Sequence, residues 1–196
     1  MSYNIELELQ HFPKTVALKD GSKATLRPLH KADEKDFHQL FLGIPEPERL
    51  FIKHRVMDLK VIHDWCQNID YGRNLPLLGL IGGKIVGDAT LHQQLGGWKR
   101  HVGRVSVLVH PEFRGRGLAR TLIAEIVEIA RNAGLERVEA EFIGEQETAM
   151  KMFAMLGFSQ IVRLDDYVKD MQAISHDYIL MNLDLKTDEE YAGVGG

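Results

Sequence analysis

The chain has 196 residues and a formal net charge of −4, so it is long enough for one domain with its own core and has no excess of basic residues for nucleic acid or an anionic membrane. Its single cysteine, Cys66, excludes an internal disulfide, and no apolar run has the length of a membrane span or the pattern of a secretory signal. These properties predict a cytoplasmic protein that binds neither nucleic acid nor a membrane.

The first third of the chain predicts a hairpin followed by helices. Residues 1–14 have no clear hydrophobic period, and we treat them as a lead-in. Asp20-Gly21 is a strong turn signal between two short segments with strand character. Cys66 lies on the apolar side of a helical pattern, which favours a buried packing thiol over a nucleophile. The predicted elements are strands over 15–19 and 23–27, a helix that begins after Asp33, a short helix over 48–53 after Pro45 and Pro47, and a helix over 58–69.

The rest of the chain combines strands with two longer helices. Gly82-Gly83 predicts another tight hairpin, and Gly134 and Gly157 stand where left-handed residues commonly end helices. Residues 187–196 are charged and then glycine-rich, which predicts a flexible tail. The predicted elements are strands over 75–81, 84–92, 101–109, 137–143, 159–167 and 173–185, and helices over 118–133 and 145–156. This order predicts an α+β fold with mostly antiparallel strands and one right-handed parallel crossover through the helix over 118–133.

The most informative stretch is Arg114-Gly115-Arg116-Gly117-Leu118-Ala119, between a β-branched strand and an amphipathic helix. Free backbone N–H groups and the helix dipole favour an anion at such a helix start, and glycines let a phosphate approach the main chain. The stretch does not fit a dinucleotide fingerprint, because Arg120 occupies the position of its third glycine, and it lacks the Gly-Lys-Ser/Thr of a Walker loop. The sequence therefore predicts a diphosphate cradle, with an unliganded glycine-rich helix start as the alternative.

Two motifs carry a resemblance to a known family. Arg114-x-x-Gly117-x-Ala119 resembles the acetyl-CoA signature (Arg/Gln)-x-x-Gly-x-(Gly/Ala) of the GNAT superfamily of N-acetyltransferases. Downstream, Gln146-x-x-Ala149-x-x-x-Phe153-x-x-x-Gly157-Phe158 resembles that family's Asn-x-x-Ala-x-x-x-Tyr-x-x-x-Gly-Phe. The resemblance covers about residues 15–186, taken as the acetyltransferase domain. It implies the GNAT fold: a mixed, mostly antiparallel sheet with a central β-α-β crossover that binds acyl-CoA, and helices on both faces.

The resemblance also assigns residues to acetyl-CoA. The main chains of Leu108 and Val109 are expected to face pantetheine. Phe153 stands where the family usually has the tyrosine that protonates the departing thiolate; phenylalanine has no proton to give, and Tyr167 and Tyr178 are alternatives. Gln146 replaces the usual asparagine, and its amide is suited to the same hydrogen bonding. The residues expected to hold the diphosphate are Arg114, Gly115, Gly117, Leu118 and Ala119, with Arg116 and Arg120 as electrostatic helpers.

The general base that deprotonates the acceptor is less defined. Glu139 and Glu141 alternate on one face of the strand over 137–143, and Glu141 lies nearer the expected acyl-CoA site. His92 lies near the end of a strand and belongs to the residue type that titrates near neutral pH. We name Glu141 and His92 as base candidates, with His101 and His110 as further histidines. The nine histidines show no H-E-x-x-H or similar spacing, so we predict no metal.

The expected function is transfer of an acetyl group from acetyl-CoA to a primary amine in a ternary complex. The acceptor is an amine on a small molecule or on a protein, at a lysine or an N-terminus. A non-catalytic domain that binds or senses acyl-CoA, and an acyltransferase that uses a longer acyl-CoA, remain alternatives. The sequence leaves a homodimer open.

Overall fold

Eight strands form one mixed sheet in the computed structural model, which describes residues 5–52 and 55–186. The order of strands across the sheet is β1-β2-β3-β4-β5-β6-β8-β7. All neighbouring pairs are antiparallel except β5 and β6, which are parallel, so the predicted mostly antiparallel sheet with one parallel crossover is confirmed. The strands are β1 (Lys14–Ala17), β2 (Lys23–Pro28), β3 (Asn74–Ile81), β4 (Lys84–His92), β5 (Val102–Val109), β6 (Arg137–Ile143), β7 (Ser159–Lys169) and β8 (Ser175–Asp184).

Six α-helices accompany the sheet in the described part of the chain. The sequence did not predict α1, a five-residue helix that is too short to show a period and buries Ile5. The predicted short helix over 48–53 was placed too late: α3 begins at Glu46, because Pro45 caps it and Pro47 in its first turn needs no N–H partner. Residue 53 and the predicted tail, residues 187–196, lie outside the described residues. The helices are α1 (Ile5–Leu9), α2 (Glu34–Leu42), α3 (Glu46–Arg49), α4 (Leu59–Gln67), α5 (Leu118–Asn132) and α6 (Glu147–Met155).

Two apolar clusters cover the two faces of the sheet. The larger cluster joins the apolar stripe of α5, which includes Leu122 and Ile126, to the inner side chains of the central strands. The smaller cluster packs Phe37 of α2 and Ile62 of α4 against the opposite face. Cys66 lies in this second cluster, where burial raises the pKa of its thiol to about 11, so it remains a protonated packing group. We call the side covered by α2 and α4 the α2–α4 face.

The central parallel pair separates along its length. β5 and β6 share only three register pairs, from Val102↔Arg137 to Arg104↔Glu139. Beyond that point β5 continues against β4 as far as Val109, and β6 continues against β8 as far as Ile143. A wedge, defined by residues 105–109 and 140–143, therefore opens between two central strands, and the backbone edges that face it have no strand partner among the described residues.

Candidate active site

The glycine-rich turn lies where the wedge meets the start of α5. Gly115 and Gly117 adopt left-handed backbone angles, with φ of 76° and 88°, which only glycine adopts routinely. No acceptor among the described residues takes a hydrogen bond from the amide N–H groups of residues 115–120. Gly117 is the N-cap residue and has no side chain that could accept from these N–H groups. The N–H groups therefore lie uncapped at the positive end of the α5 dipole. The turn fits a diphosphate through its main chain.

The β1–β2 hairpin supplies charge to this turn that sequence reasoning missed. The amide of Lys19 donates to the carbonyl of Arg116 at 3.0 Å, and the side chain of Lys19 runs past Gly117, where an added Cβ would come within 3.2 Å of it. Arg116 is held by Asp20 at 3.4 Å and lies over the ring of Phe113, 5.1 Å from its centroid. No local motif signals Lys19, because only the hairpin's tertiary docking brings it to the turn.

Arg114 is held by protein groups in this structure. Its Nε donates to the carbonyl of Val109 at 3.0 Å, and its two terminal nitrogens donate to the carboxylate of Glu48 at 3.0 and 2.6 Å. The side chain therefore ties the turn to α3 and to the end of β5. The predicted contact of Arg114 with a phosphate, and that of the Val109 main chain with pantetheine, stay predictions.

Polar side chains gather on the α2–α4 face at the closed end of the wedge. The imidazole of His92 contacts the Oδ1 of Asn74 through Nδ1 at 2.7 Å and the hydroxyl of Ser106 through Nε2 at 3.3 Å. Arg104 is the register partner of His92 on β5, and its Nη1 donates to Glu141 on β6 at 3.1 Å. We call these five residues, which come from four neighbouring strands, the polar row.

Glu141 and its neighbour on the same face of β6, Glu139, each have a cationic partner. Glu141 accepts from Arg104 and also from the hydroxyl of Tyr178 at 3.2 Å, while both oxygens of Glu139 lie 3.2 Å from the ammonium of Lys99. Burial, with the nearby Glu141 charge as the next cause, raises the pKa of Tyr178 to about 12. Tyr178 therefore keeps its proton at neutral pH and uses it to donate a hydrogen bond to Glu141.

The remaining candidates lie away from the polar row. His110 accepts from the amide of Glu112 through Nδ1, and its ring fills the space beside Gly43. His101 lines a separate groove with Lys99 and Arg137. Tyr167 is 67% exposed, with its ring 5.9 Å from that of Tyr178. Of the residues predicted to act as base, the structure brings His92 and Glu141 together at the wedge.

Comparison with known proteins decides the family. The family model described as "Acetyltransferase (GNAT) family" matches residues 35–158, which is more than half of the chain. The chain belongs to the GNAT acetyltransferase family. This membership agrees with the resemblance carried by the two motifs, and the sheet with its central crossover is the expected GNAT fold.

Individual relatives of the GNAT chain are distant. It is 25% identical to the L-amino acid N-acyltransferase MnaT of Escherichia coli (strain K12) over 113 residues, which are 55% of this chain and 66% of that protein. It is 37% identical to the glucosamine 6-phosphate N-acetyltransferase of Trypanosoma brucei brucei over 81 residues, 39% of this chain and 52% of that protein. The chain thus spans between about half and two thirds of the length of these curated relatives.

A solved structure supports the fold. The yncA protein of Salmonella typhimurium, solved with its cofactor acetyl-CoA, superposes with a TM-score of 0.71. The match covers 84% of this chain and 95% of that one at 20% identity. At this identity the likeness establishes the GNAT architecture alone.

The second GNAT motif departs from the family pattern in its contacts. Gln146 accepts from the amide of Ile143 through Oε1 at 3.0 Å and so closes the end of β6. Phe153 is 1% exposed, and the rings of Phe142 and Phe158 lie 4.9 Å from its centroid on two sides. Phe153 is a core residue in this structure, and the contacts of Gln146 and Phe153 with a cofactor stay predictions.

Restoring the family's tyrosine by Phe153→Tyr is expected to lower stability without raising kcat. The ring of Phe153 is enclosed by aromatic neighbours, so the added hydroxyl would be buried without a partner, at a cost of about 1–3 kcal/mol. Urea unfolding gives the stability, and thiol release from acetyl-CoA gives kcat. Phe158→Tyr is the matched control in the same cluster. A rise in kcat specific to Phe153→Tyr would contradict the expectation and place position 153 at the reacting thioester.

Within residues 5–52 and 55–186, no three His, Cys, Asp or Glu side chains come together as a metal site would require. No helix in the described ranges is both long enough and apolar enough to span a membrane.

Proposed function

We propose that this GNAT chain transfers an acetyl group from acetyl-CoA to a primary amine, directly and in a ternary complex. The observation that carries the proposal is the wedge, which joins the glycine-rich turn at one end to the polar row at the other. An acyl-CoA that lies along the wedge would place its phosphates at the turn and its thioester at the polar row, among groups that can accept a proton. The acetyl-CoA held by the yncA protein supports the same choice of donor.

The turn and the wedge supply the binding groups for the donor. Main-chain N–H groups of residues 115–120 would hold the diphosphate, with the cations of Lys19 and Arg116 beside them. The unpaired strand edges of the wedge offer N–H and C=O groups to the pantetheine amides. Acetyl-CoA supplies an activated thioester, so the protein has only to orient it and to deprotonate the attacking amine.

His92 is the base we assign to that step. The charge of Glu141 is already satisfied by Arg104 and the hydroxyl of Tyr178, which stabilises the carboxylate and weakens it as a base. His92 presents its Nε2 toward Ser106, an exposed residue at the edge of the wedge. In this assignment Glu141 orients Arg104 and contributes negative charge that attracts an ammonium acceptor.

The acceptor is sought by assaying the protein with a mixture of defined amines. MnaT, by its name, acts on L-amino acids, and the trypanosomal relative acts on glucosamine 6-phosphate. An amine on a protein, at a lysine or an N-terminus, is the other acceptor class. The acceptor mixture therefore contains the L-amino acids other than cysteine, glucosamine 6-phosphate, and a lysine-containing peptide with an N-terminal alanine. Thiol release in its presence, compared with its absence, measures transfer.

Calorimetric titration with acetyl-CoA tests the donor site, with NAD as the control ligand. Wild type is expected to bind acetyl-CoA and not NAD, and Gly117→Val is expected to weaken acetyl-CoA binding about tenfold or more. Valine there is strained by φ of 88° and crowds Lys19. Gly83→Val is the matched control, because φ is 81° with nothing within 4 Å of an added Cβ. Folded wild type that binds no acetyl-CoA would refute the proposal.

A non-catalytic acyl-CoA sensor is the second candidate, favoured by the phenylalanine at position 153. This residue is buried and has no proton for a departing thiolate. A sensor would bind acetyl-CoA in the titration and release no thiol with the acceptor mixture. Replacing acetyl-CoA with propionyl-CoA or succinyl-CoA in the same assay tests for a longer acyl group.

A further inference from the structure

Asn74, His92 and Ser106 lie side by side on three adjacent strands. Asn74 is the register partner of His92 across β3 and β4, and Ser106 on β5 lies diagonally across from His92. The Oδ1 of Asn74 lies 2.7 Å from the Nδ1 of His92, and the hydroxyl of Ser106 lies 3.3 Å from its Nε2. The imidazole is therefore held between an amide on one side and a hydroxyl on the other, with the hydroxyl toward the wedge.

These two contacts define which ring nitrogen carries the hydrogen. An amide oxygen only accepts hydrogen bonds, so the Nδ1 of His92 must be the donor to Asn74. In the neutral ring Nε2 is then the acceptor, and the hydroxyl of Ser106 donates to it. Nucleophilic and general-base sites use the same order of hydroxyl, imidazole and orienting group.

We propose that Ser106 relays the proton of the acceptor ammonium to His92, and that Asn74 is the positioning residue that keeps Nε2 basic. The inference rests on the proposed acetyl transfer. The oxygen of Ser106 takes a proton from the ammonium while its own hydroxyl proton passes to Nε2 of His92. The amine nitrogen then bonds to the thioester carbonyl carbon, the C–S bond breaks, and coenzyme A leaves as a thiolate. The acylated nitrogen loses its second proton to water, and the thiolate takes a proton from water. His92 returns its proton to solvent.

The charges around His92 allow a selective electrostatic test. On the α2–α4 face, β5 contributes Arg104, which is paired with Glu141, while β6 also contributes Glu139, which is paired with Lys99. β3 contributes the uncharged Asn74 and Pro76, and the strand of His92 itself contributes the buried Asp88 four residues away. An aspartate at position 74 therefore adds one negative charge at the donor side of the ring and replaces an uncharged residue.

The experiment compares pH profiles of thiol release with the acceptor mixture. Asn74→Asp is expected to move the acidic limb of kcat/KM to higher pH by about one unit, because a carboxylate favours the imidazolium. Ser106→Ala is expected to lower kcat about tenfold to a hundredfold, with KM for acetyl-CoA unchanged. Gln160→Glu adds the same charge on exposed β7 at the far edge of the sheet and is expected to leave the profile in place.

Each alternative result identifies what has failed. A profile of Asn74→Asp that matches wild type, or a Ser106→Ala enzyme with full kcat, overturns the relay and leaves the proposed transfer intact. A peptide containing Ser106 that carries an acetyl group after acetyl-CoA alone overturns the relay in favour of a covalent step. Wild type that binds acetyl-CoA and transfers to no acceptor overturns the proposed function and the relay together.

Discussion

Replacing His92 with glutamine is expected to lower kcat by about 10²–10⁴-fold and to leave the Kd for acetyl-CoA unchanged, because general-base catalysis is typically worth that much. Glutamine retains a polar side chain of similar length and removes only the group that can take up a proton. The rate is measured by thiol release with the acceptor mixture, and the Kd by calorimetry. The acidic limb of the pH profile is expected to disappear with the imidazole.

Two companion variants make the result for His92 specific. His63→Gln removes a half-exposed imidazole on α4, paired with Glu34, and is expected to retain wild-type kcat. Glu141→Gln is expected to lower kcat less than His92→Gln does, since Glu141 acts through Arg104 and Tyr178. A larger loss for Glu141→Gln than for His92→Gln would transfer the role of base to the carboxylate.

Most of the fold could be predicted from the sequence, because the turn signals and apolar patterns agree with the elements that form. Asp20-Gly21 and Gly82-Gly83 form the hairpin turns they predict, and the stripe of α5 forms the core contact it predicts. The miss at α3 has a local cause, because the helix was expected to begin only after Pro47, whereas Pro47 occupies its first turn. The miss at α1 reflects a helix that is held by burial of Ile5 and not by periodicity.

Less of the candidate site could be predicted from the sequence, because its side chains come from strands that only the folded sheet brings together. The motif identified the turn, but Lys19 reaches the turn from a hairpin far away in the sequence, and Glu48 on α3 accepts hydrogen bonds from Arg114. The sequence named His92 and Glu141 as base candidates without their partners. Asn74 and Ser106, which contact the imidazole of His92, carry no motif and become visible only through the register of β3, β4 and β5.

A second large effect is expected at Asp88, a group that sequence analysis did not single out. Asp88 lies on β4 at 7% exposure, and its carboxyl oxygens are 3.1 and 3.3 Å from the hydroxyl of Thr90. Burial raises the pKa of Asp88 from 3.8 to about 7, since the charged form is poorly solvated there and the hydrogen bond from Thr90 only partly compensates. The folded protein therefore binds the Asp88 proton more tightly than the unfolded chain does.

This difference makes the wild type less stable as pH rises. Below the unfolded pKa of 3.8, Asp88 is protonated in both the folded and the unfolded state, so the difference in its pKa does not lower the free energy of unfolding there. As pH rises from about 4 to 7 the unfolded chain releases this proton first, and stability falls by up to about 4 kcal/mol before it levels above pH 7. Asp88→Asn removes the titrating group, so the free energy of unfolding of the variant is expected to depend less on pH over this range.

Urea unfolding of wild type and Asp88→Asn at pH 5 and pH 8 measures the effect. The variant is expected to gain stability relative to wild type on going from pH 5 to pH 8, which corresponds to a rise in Tm of about 2–4 °C per kcal/mol for a chain of this size. His176, whose pKa Glu145 and then Asp170 raise, also loses stabilising charge as pH rises, but it does so equally in both proteins. The difference between the two therefore isolates Asp88. Parallel stability curves for wild type and variant would mean that Asp88 is already ionised in the folded protein at pH 5, held by charge that reaches it from the polar row.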